Sequence, residues 1–268
     1  MGVEIMVKFS DKPGKISGDT DILEKAVRIS VAMVTYNGEL FLEEQLDSIL
    51  NQLKEKDEVV ISDDGSKDNT IEIIKKYQEK YSCIRLVQGP QKGIKKNVEN
   101  ALKNCKGEYI FLADQDDIWM PHKVDTVLER FCESGTDLVI HDATVFKEDI
   151  TQPVMQSFFE FREAKAGILK NIMKNSYIGC CMAFRRELLQ KALPIPEHIE
   201  MHDQWLGVLN DFYGKKSYFY KKPLLYYRRH GENNSNMIPY GIRRRIKNRM
   251  VFMGAFIGRI VGNSCKKR

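Results

Sequence analysis

Residues 28–64, RISVAMVTYNGELFLEEQLDSILNQLKEKDEVVISDD, decide the fold. Ile29 to Thr35 is an apolar run of strand length. Leu42, Leu46, Ile49, Leu50 and Leu53 then fall on one helical face, and Val59 to Ser62 is a second strand-length run. Strand, helix, strand is one βαβ unit. The pattern continues with a helix at Ile71–Tyr81, a strand at Ile84–Val87, a helix at Lys92–Asn104 and a strand at Tyr109–Ala113. Repeated units of this kind predict an α/β fold with a mostly parallel sheet, right-handed crossovers and helices on both faces.

The alternation weakens after a helix starting near Pro121 and a strand at Leu138–Ile140. A strand at Gly179–Phe184, a helix at Asp203–Phe212 and two short strands, Ser217–Tyr220 and Leu224–Arg228, are expected there. Residues 1–26 are polar and turn-rich and are expected as a lead-in outside the core. Residues 27–238 form the main domain, divided near 120, and residues 239–268 a basic segment. There is no internal repeat and no low-complexity tract.

The six cysteines are scattered, without zinc-ligand spacing, so neither a disulfide framework nor a structural metal is indicated and a reducing compartment is expected. The N-terminus lacks the basic and apolar regions of a signal peptide, and no run reaches the roughly 20 apolar residues of a spanning helix. A net charge of +5 is modest, but the excess gathers toward the C-terminus, around Arg243 to Arg245, Lys247 and Arg249. The mixed basic and apolar run Tyr240–Gly262 suits an amphipathic helix. It is expected to lie on an anionic membrane surface with Phe252, Phe256 and Ile257 inserted, or to pack on the main domain through Met250, Met253 and Ile260.

In an open parallel sheet, ligands bind beyond the carboxyl ends of the strands. Three polar tips lie there: Thr35-Tyr36-Asn37-Gly38, Asp63-Asp64-Gly65-Ser66 and Asp114-Gln115-Asp116-Asp117. The first lacks the glycines and lysine of a dinucleotide or phosphate loop, so phosphate charge must be met by a cation. Asp114 and Asp116 are oxygen donors suited to Mg2+ or Mn2+. Taken alone, Asp63 to Asp68 reads as a turn and helix cap. Clustered acids directly after an apolar strand are harder to explain that way, because like charges repel.

VAMVTYNGELFLEEQLDSILNQ, EVVISDDGSKDNT and GEYIFLADQDDIW, in that order and each on a strand end, resemble the family 2 glycosyltransferases, inverting enzymes of the GT-A fold. The resemblance runs from about Arg28 to His230. The Asp-Gln-Asp-Asp form resembles a bacterial cell-surface polysaccharide subgroup that includes rhamnosyltransferases. It implies a nucleotide-sugar half over 27–120 and an acceptor half over 121–238. Thr35, Tyr36 and Asn37 would line the nucleoside pocket, Asp63 and Asp64 contact base or ribose, and Lys92 and Gly93 lie near the donor. Asp114 and Asp116 match the metal-binding Asp-x-Asp. Met201-His202-Asp203-Gln204-Trp205 matches the segment carrying the catalytic base, which makes Asp203 the candidate and His202 its competitor; the bland reading of Asp203 is a helix cap. Tyr227-Arg228-Arg229-His230 resembles the YR-x-H segment, with Arg228 for the diphosphate and His230 for the metal.

The expected reaction is a single in-line displacement by a glycan or lipid-linked acceptor hydroxyl on a dTDP-rhamnose or UDP-sugar donor, cytoplasmic or at the inner face of the membrane. A nucleotidyltransferase would want a Gly-rich basic loop after the first strand, and a non-catalytic module would not need Asp114, Asp116 and Asp203. Nucleic-acid binding is disfavoured by the modest charge and missing motifs.

Overall fold

The computed structural model describes residues 29–213, 217–231 and 241–265. The expected lead-in over residues 1–26 and the boundary near Tyr240 lie outside the described residues. The chain runs through β1 (Ile29–Thr35), α1 (Leu42–Leu50), β2 (Glu58–Asp63), α2 (Thr70–Lys80), β3 (Ile84–Gln88), α3 (Ile94–Asn104) and β4 (Tyr109–Asp114). β1 pairs in parallel with β2 and β4, and β2 with β3. Every residue of β1 and β2 is buried. Strands covered on both faces read as continuous apolar runs, as this sequence does.

The four strands share a direction, so their carboxyl ends lie along one edge. The chain leaves β1 for β2 and β3 and returns to the other side of β1 at β4. The crevice between β1 and β4 is therefore the topological switch point, where ligands of such sheets bind.

The second half adds β5 (Ile118–Trp119), α4 (Lys123–Ser134), β6 (Leu138–Phe146), α5 (Phe158–Arg162), α6 (Ile168–Met173), β7 (Met182–Arg185), α7 (Leu189–Ala192), α8 (His202–Phe212), β8 (Ser217–Arg228) and α9 (Ile242–Cys265). The sheet order is β3-β2-β1-β4-β7-β6-β8-β5, with β7 antiparallel to β4 and β6, and β8 parallel to β6. Two expectations need correction. The two short strands are one strand, β8: Pro223 lacks a donor, and the interruption is absorbed by register shifts on either side of its partner Asp142 in β6. Gly179–Cys181 is a 3-10 turn before β7 rather than part of a strand. The Lys123 ammonium donates to the Cys180 carbonyl at 3.0 Å, an inward-facing bond that an extended ladder would not leave available.

α9 packs against α8. Phe252 is 2 % exposed, 5.9 Å from the Trp205 ring centre, and Phe256 lies 5.3 Å from Phe212. Arg259 donates to the carbonyls of Lys191, Leu193 and Pro194 and lies over Trp205. Phe252 and Phe256 therefore belong to the core and are not membrane anchors. Met253 and Ile260 also pack on the core, whereas Met250 and Ile257 stay exposed. Phe252→Ala should cost about 3 kcal/mol in a denaturant melt, since truncating a buried aromatic leaves a cavity beside Trp205; a loss below about 1 kcal/mol would mean that α9 is not docked in solution.

Candidate active site

The tips of β1 and β4 are joined across the switch point. Gln115 Oε1 accepts from the Tyr36 amide at 2.8 Å and Gln115 Nε2 donates to the Tyr36 carbonyl at 3.1 Å. Gly38 makes this possible, because a Cβ there would sit 2.4 Å from Gln115 Oε1. From below, Gln45 of α1 donates to the Asp114 carbonyl at 2.7 Å. The Tyr36 side chain is left 55 % exposed beside this edge. Asn37 takes a left-handed conformation at φ 50°, with its amide on Ser66 Oγ and its side-chain oxygen on the Lys67 amide.

Asp63 and Asp64 hold the loops of this pocket. Asp63 accepts from Thr35 Oγ1 at 2.7 Å and from the Gly65 and Ser66 amides. It is buried, so the structure gives it a turn-ordering part rather than an open face for base or ribose. Asp64 accepts from the Gln91 and Gly93 amides at 2.7 and 2.8 Å. It thereby ties the exposed Lys92–Gly93 loop, where Gly93 turns at φ 81°, to the tip of β2.

Arg228 requires a correction. Its guanidinium is buried between the rings of Phe41 and Phe146, at 4.9 and 4.6 Å, and it donates to the Asp116 carbonyl at 2.9 Å and to Glu44. Its amide donates to Asp117 Oδ1 at 3.1 Å. Arg228 clamps the acidic tip from behind and is not presented to a diphosphate; the sequence shows an Arg fork but not which side of it is covered.

The acids themselves converge. His230 Nε2 lies 2.7 Å from Asp116 Oδ2. Ligand atoms of Asp114, Asp117 and Cys180 lie within 4.8 Å of one another. Burial, reinforced by the Asp116 and Asp203 charges and opposed by Lys123, pushes the Asp114 carboxyl up to about 7. Burial and the charges of Asp116 and Asp114 hold Asp117 well above the usual carboxylate range, and its buried Oδ2 has no hydrogen-bond partner among the described residues. Crowded carboxylates with an orphaned oxygen are a donor set that a hard divalent cation satisfies. Of the grouped ligand atoms, the carboxylates of Asp114 and Asp117 suit a hard cation and the Cys180 thiol suits it less; the expected ligands Asp116 and His230 pair with each other and are not part of that group.

Asp203 lies in the first turn of α8, whose cap is Met201. Its Oδ1 accepts from the Gln204 amide at 2.5 Å and from Asn175 Nδ2 at 3.2 Å, so it does not close the helix end in the manner of a capping residue. Burial raises its carboxyl to about 6 against these bonds and the Arg162 charge. The His202 ring packs on Gly179, where a Cβ would meet Nε2 at 3.0 Å, and burial with the Lys95 charge lowers it to about 4. The Asp203 charge also contributes to the raised Asp114 carboxyl, after burial and the Asp116 charge.

These shifts set a pH dependence. Asp114 and Asp203 are raised above their unfolded values, so the native state binds more protons between about pH 4 and 7, and stability falls as pH rises through that window. A cation would replace the proton on Asp114. Added Mn2+ should raise the melting temperature more at pH 7.5 than at pH 5, by about 2.7 kcal/mol of stability at a hundred times its Kd; an equal shift at both pH values would place the ion elsewhere.

Several contributors escape sequence reading. Gln45 carried a signal, a polar residue on the apolar face of Leu42, Leu46 and Ile49. Lys123, Arg162, Asn175 and Cys180 carried none, because only the fold brings them here.

Against known proteins, residues 30–193 match the Glycosyl transferase family 2. The chain is 30% identical over 215 residues to the dTDP-rhamnosyl transferase RfbG of Shigella flexneri, covering 75% of this chain and 72% of that protein. An uncharacterized glycosyltransferase of Nostoc sp. is 28% identical, covering 78% and 66%, so the chain spans about two thirds of that relative. Among solved structures, S. aureus TarS 1-349 in complex with UDP-GlcNAc aligns with a TM-score of 0.64 at 23% identity, over 84% of this chain and 66% of that one. The mannosyltransferase PcManGT of Pyrobaculum calidifontis, in complex with GDP-Man and Mn2+, aligns with a TM-score of 0.56 at 22% identity, over 74% and 55%. These share the GT-A architecture. With the sheet, its switch point and three polar tips in place, the match over residues 30–193 makes this chain a member of glycosyltransferase family 2.

Proposed function

We propose that the chain is an inverting glycosyltransferase that moves a sugar from a nucleoside-diphosphate donor to an acceptor hydroxyl in bacterial cell-surface polysaccharide synthesis. The observation behind this reading is the acid tip Asp114–Asp117 at the switch point between β1 and β4, tied to Tyr36 through Gln115 and lying with Asp116 Oδ2 2.7 Å from His230 Nε2. Tyr36 stacks on the base of the nucleotide, with Thr35 and Asn37 shaping the pocket and the Lys92–Gly93 loop closing its rim. Asp203 takes the proton of the acceptor hydroxyl as its oxygen attacks the anomeric carbon, and the sugar–phosphate bond breaks on the opposite side. Asn175 holds the carboxylate in position. A Mg2+ or Mn2+ ion held by Asp114, Asp116 and His230 would supply charge stabilisation to the departing diphosphate.

The donor follows from likeness to the rhamnosyl relative, which makes dTDP-rhamnose the first to test and UDP-hexoses the next. The acceptor would be a glycan or lipid-linked sugar reached from the cytoplasmic side. A panel of nucleotide sugars with Mn2+, scored by binding and slow hydrolysis, tests class and donor together. Hydrolysis of one donor is expected; binding without any turnover across the panel would favour a non-catalytic module.

A further inference from the structure

We propose that α9 and α6 together form a docking face for an anionic lipid bilayer, and that this face brings lipid-borne acceptors to Asp203. The face is not the one suggested by the most hydrophobic residues of the segment, because Phe252 and Phe256 are spent on the core. What remains outside is a second stripe, Ile242, Ile246, Met250, Ile257 and Val261, at steps of four, four, seven and four residues. That spacing keeps all five on one side of the helix. Ile242 is 72 % exposed, and nothing among the described residues covers the stripe.

α6 extends the apolar surface. Arg249 donates from Nε and Nη2 to the Met173 carbonyl at 3.1 and 2.6 Å, which sets the first half of α9 beside the end of α6. There Leu169 is 79 % exposed and Met173 is also exposed. Apolar side chains left in water on two neighbouring helices mark an interaction surface rather than scattered decoration.

Charge selects the occupant. α9 carries Arg243, Arg244, Arg245, Lys247, Arg249 and Arg259 and no acidic residue. Near α6 stand Lys165, Lys170 and Lys174, the last paired with Glu163. Two acids at this border are already paired, Glu163 with Lys174 at 2.7 Å and Glu200 with Arg244 at 3.4 Å, and Asp211 is bonded to the Gly167 amide at the start of α6. Exposed apolar side chains among surplus cations fit the headgroup layer of an anionic bilayer, where lysine and arginine stems lie along the acyl boundary. A protein partner of ordinary composition would meet uncompensated repulsion or need an acidic patch of its own.

The face also borders the site. Asn175, two residues beyond Met173, donates to Asp203 Oδ1. A hydroxyl carried on a lipid headgroup would thus arrive at the base. This last step rests on the glycosyltransferase reading; docking does not.

The test is co-sedimentation of the 268-residue chain with vesicles of phosphatidylglycerol or phosphatidylcholine, at low and high salt. Binding to phosphatidylglycerol that weakens with salt is expected, and little to phosphatidylcholine. Arg243→Gln with Lys247→Gln should lower the partition coefficient about fivefold per charge removed at low salt. Ile246→Gln with Met250→Gln should lower it as well, with the melting temperature kept. Absence of binding to phosphatidylglycerol, or binding that both double variants leave unchanged, overturns the proposal. So does a dimer that the apolar double variant disperses without any effect on lipid binding, since the stripe would then be an interface between copies. Donor hydrolysis without lipid separates the two readings: both variants should keep it, and vesicle binding in a chain that hydrolyses no donor would sink the enzyme while leaving the docking face intact.

Discussion

Asp203→Asn is expected to lower turnover by about 10² to 10⁴ while donor affinity stays near that of the parent, because Asn keeps the shape and the bonds to Asn175 and Gln204 but cannot accept the proton. The pH profile identifies the group. A base works only when unprotonated, so activity should fall as pH drops through about 6, the value to which burial raises Asp203. Were His202 the base, the fall would come near 4, and His202→Gln would be the more damaging change. Stability gives an independent reading. Asp203 is charged and buried at pH 8 with its pKa raised, so Asp203→Asn should melt higher than the parent at pH 8 and lose that advantage toward pH 4. Near-parental turnover together with an unchanged melt would remove Asp203 as the base.

Asp116→Ala should reduce activity about 10³-fold or more, since the charge stabilisation supplied by a bound cation is worth several kcal/mol and each 1.4 kcal/mol is a factor of ten. The fold should survive. The Asp116 carbonyl that takes Arg228 Nε remains, and so does the Arg228 amide bond to Asp117. Excess EDTA on the parent should reproduce the loss, and Mn2+ should restore the parent but not the variant. Cys180→Ala distinguishes two placements of the ion. If Asp116 and His230 hold it, Mn2+ dependence is kept; if the ion sits among Asp114, Asp117 and Cys180, metal preference shifts toward harder cations when the thiol is lost. Full turnover in EDTA would end the metal assignment altogether.

The parallel half of the sheet and the three polar tips are legible in the local pattern of residues. From Ile29 to Asp114 the inner strands β1, β2 and β4 are buried on both faces, the edge strand β3 only in part, and each helix on one face, so burial is written locally as runs and periods. The direction of four parallel strands then places Tyr36, Asp64 and Asp114 on one edge without further information. Tertiary structure decided the rest. Ser217–Arg228 is one strand because β6 offers a displaced register opposite Pro223, a partner roughly eighty residues away that no local window contains. Arg228 lies behind the acidic tip because Phe41 and Phe146 close over it, and an Arg fork looks the same in sequence whichever side is covered. Cys180 and Lys123 meet the acids only through long-range packing. α9 is the sharpest case: it has apolar residues on two faces, and periodicity cannot choose between them. Trp205 and Phe212 of α8 chose Phe252 and Phe256, because burying two aromatic rings against two others removes more apolar surface from water than burying Ile246 and Met250 would.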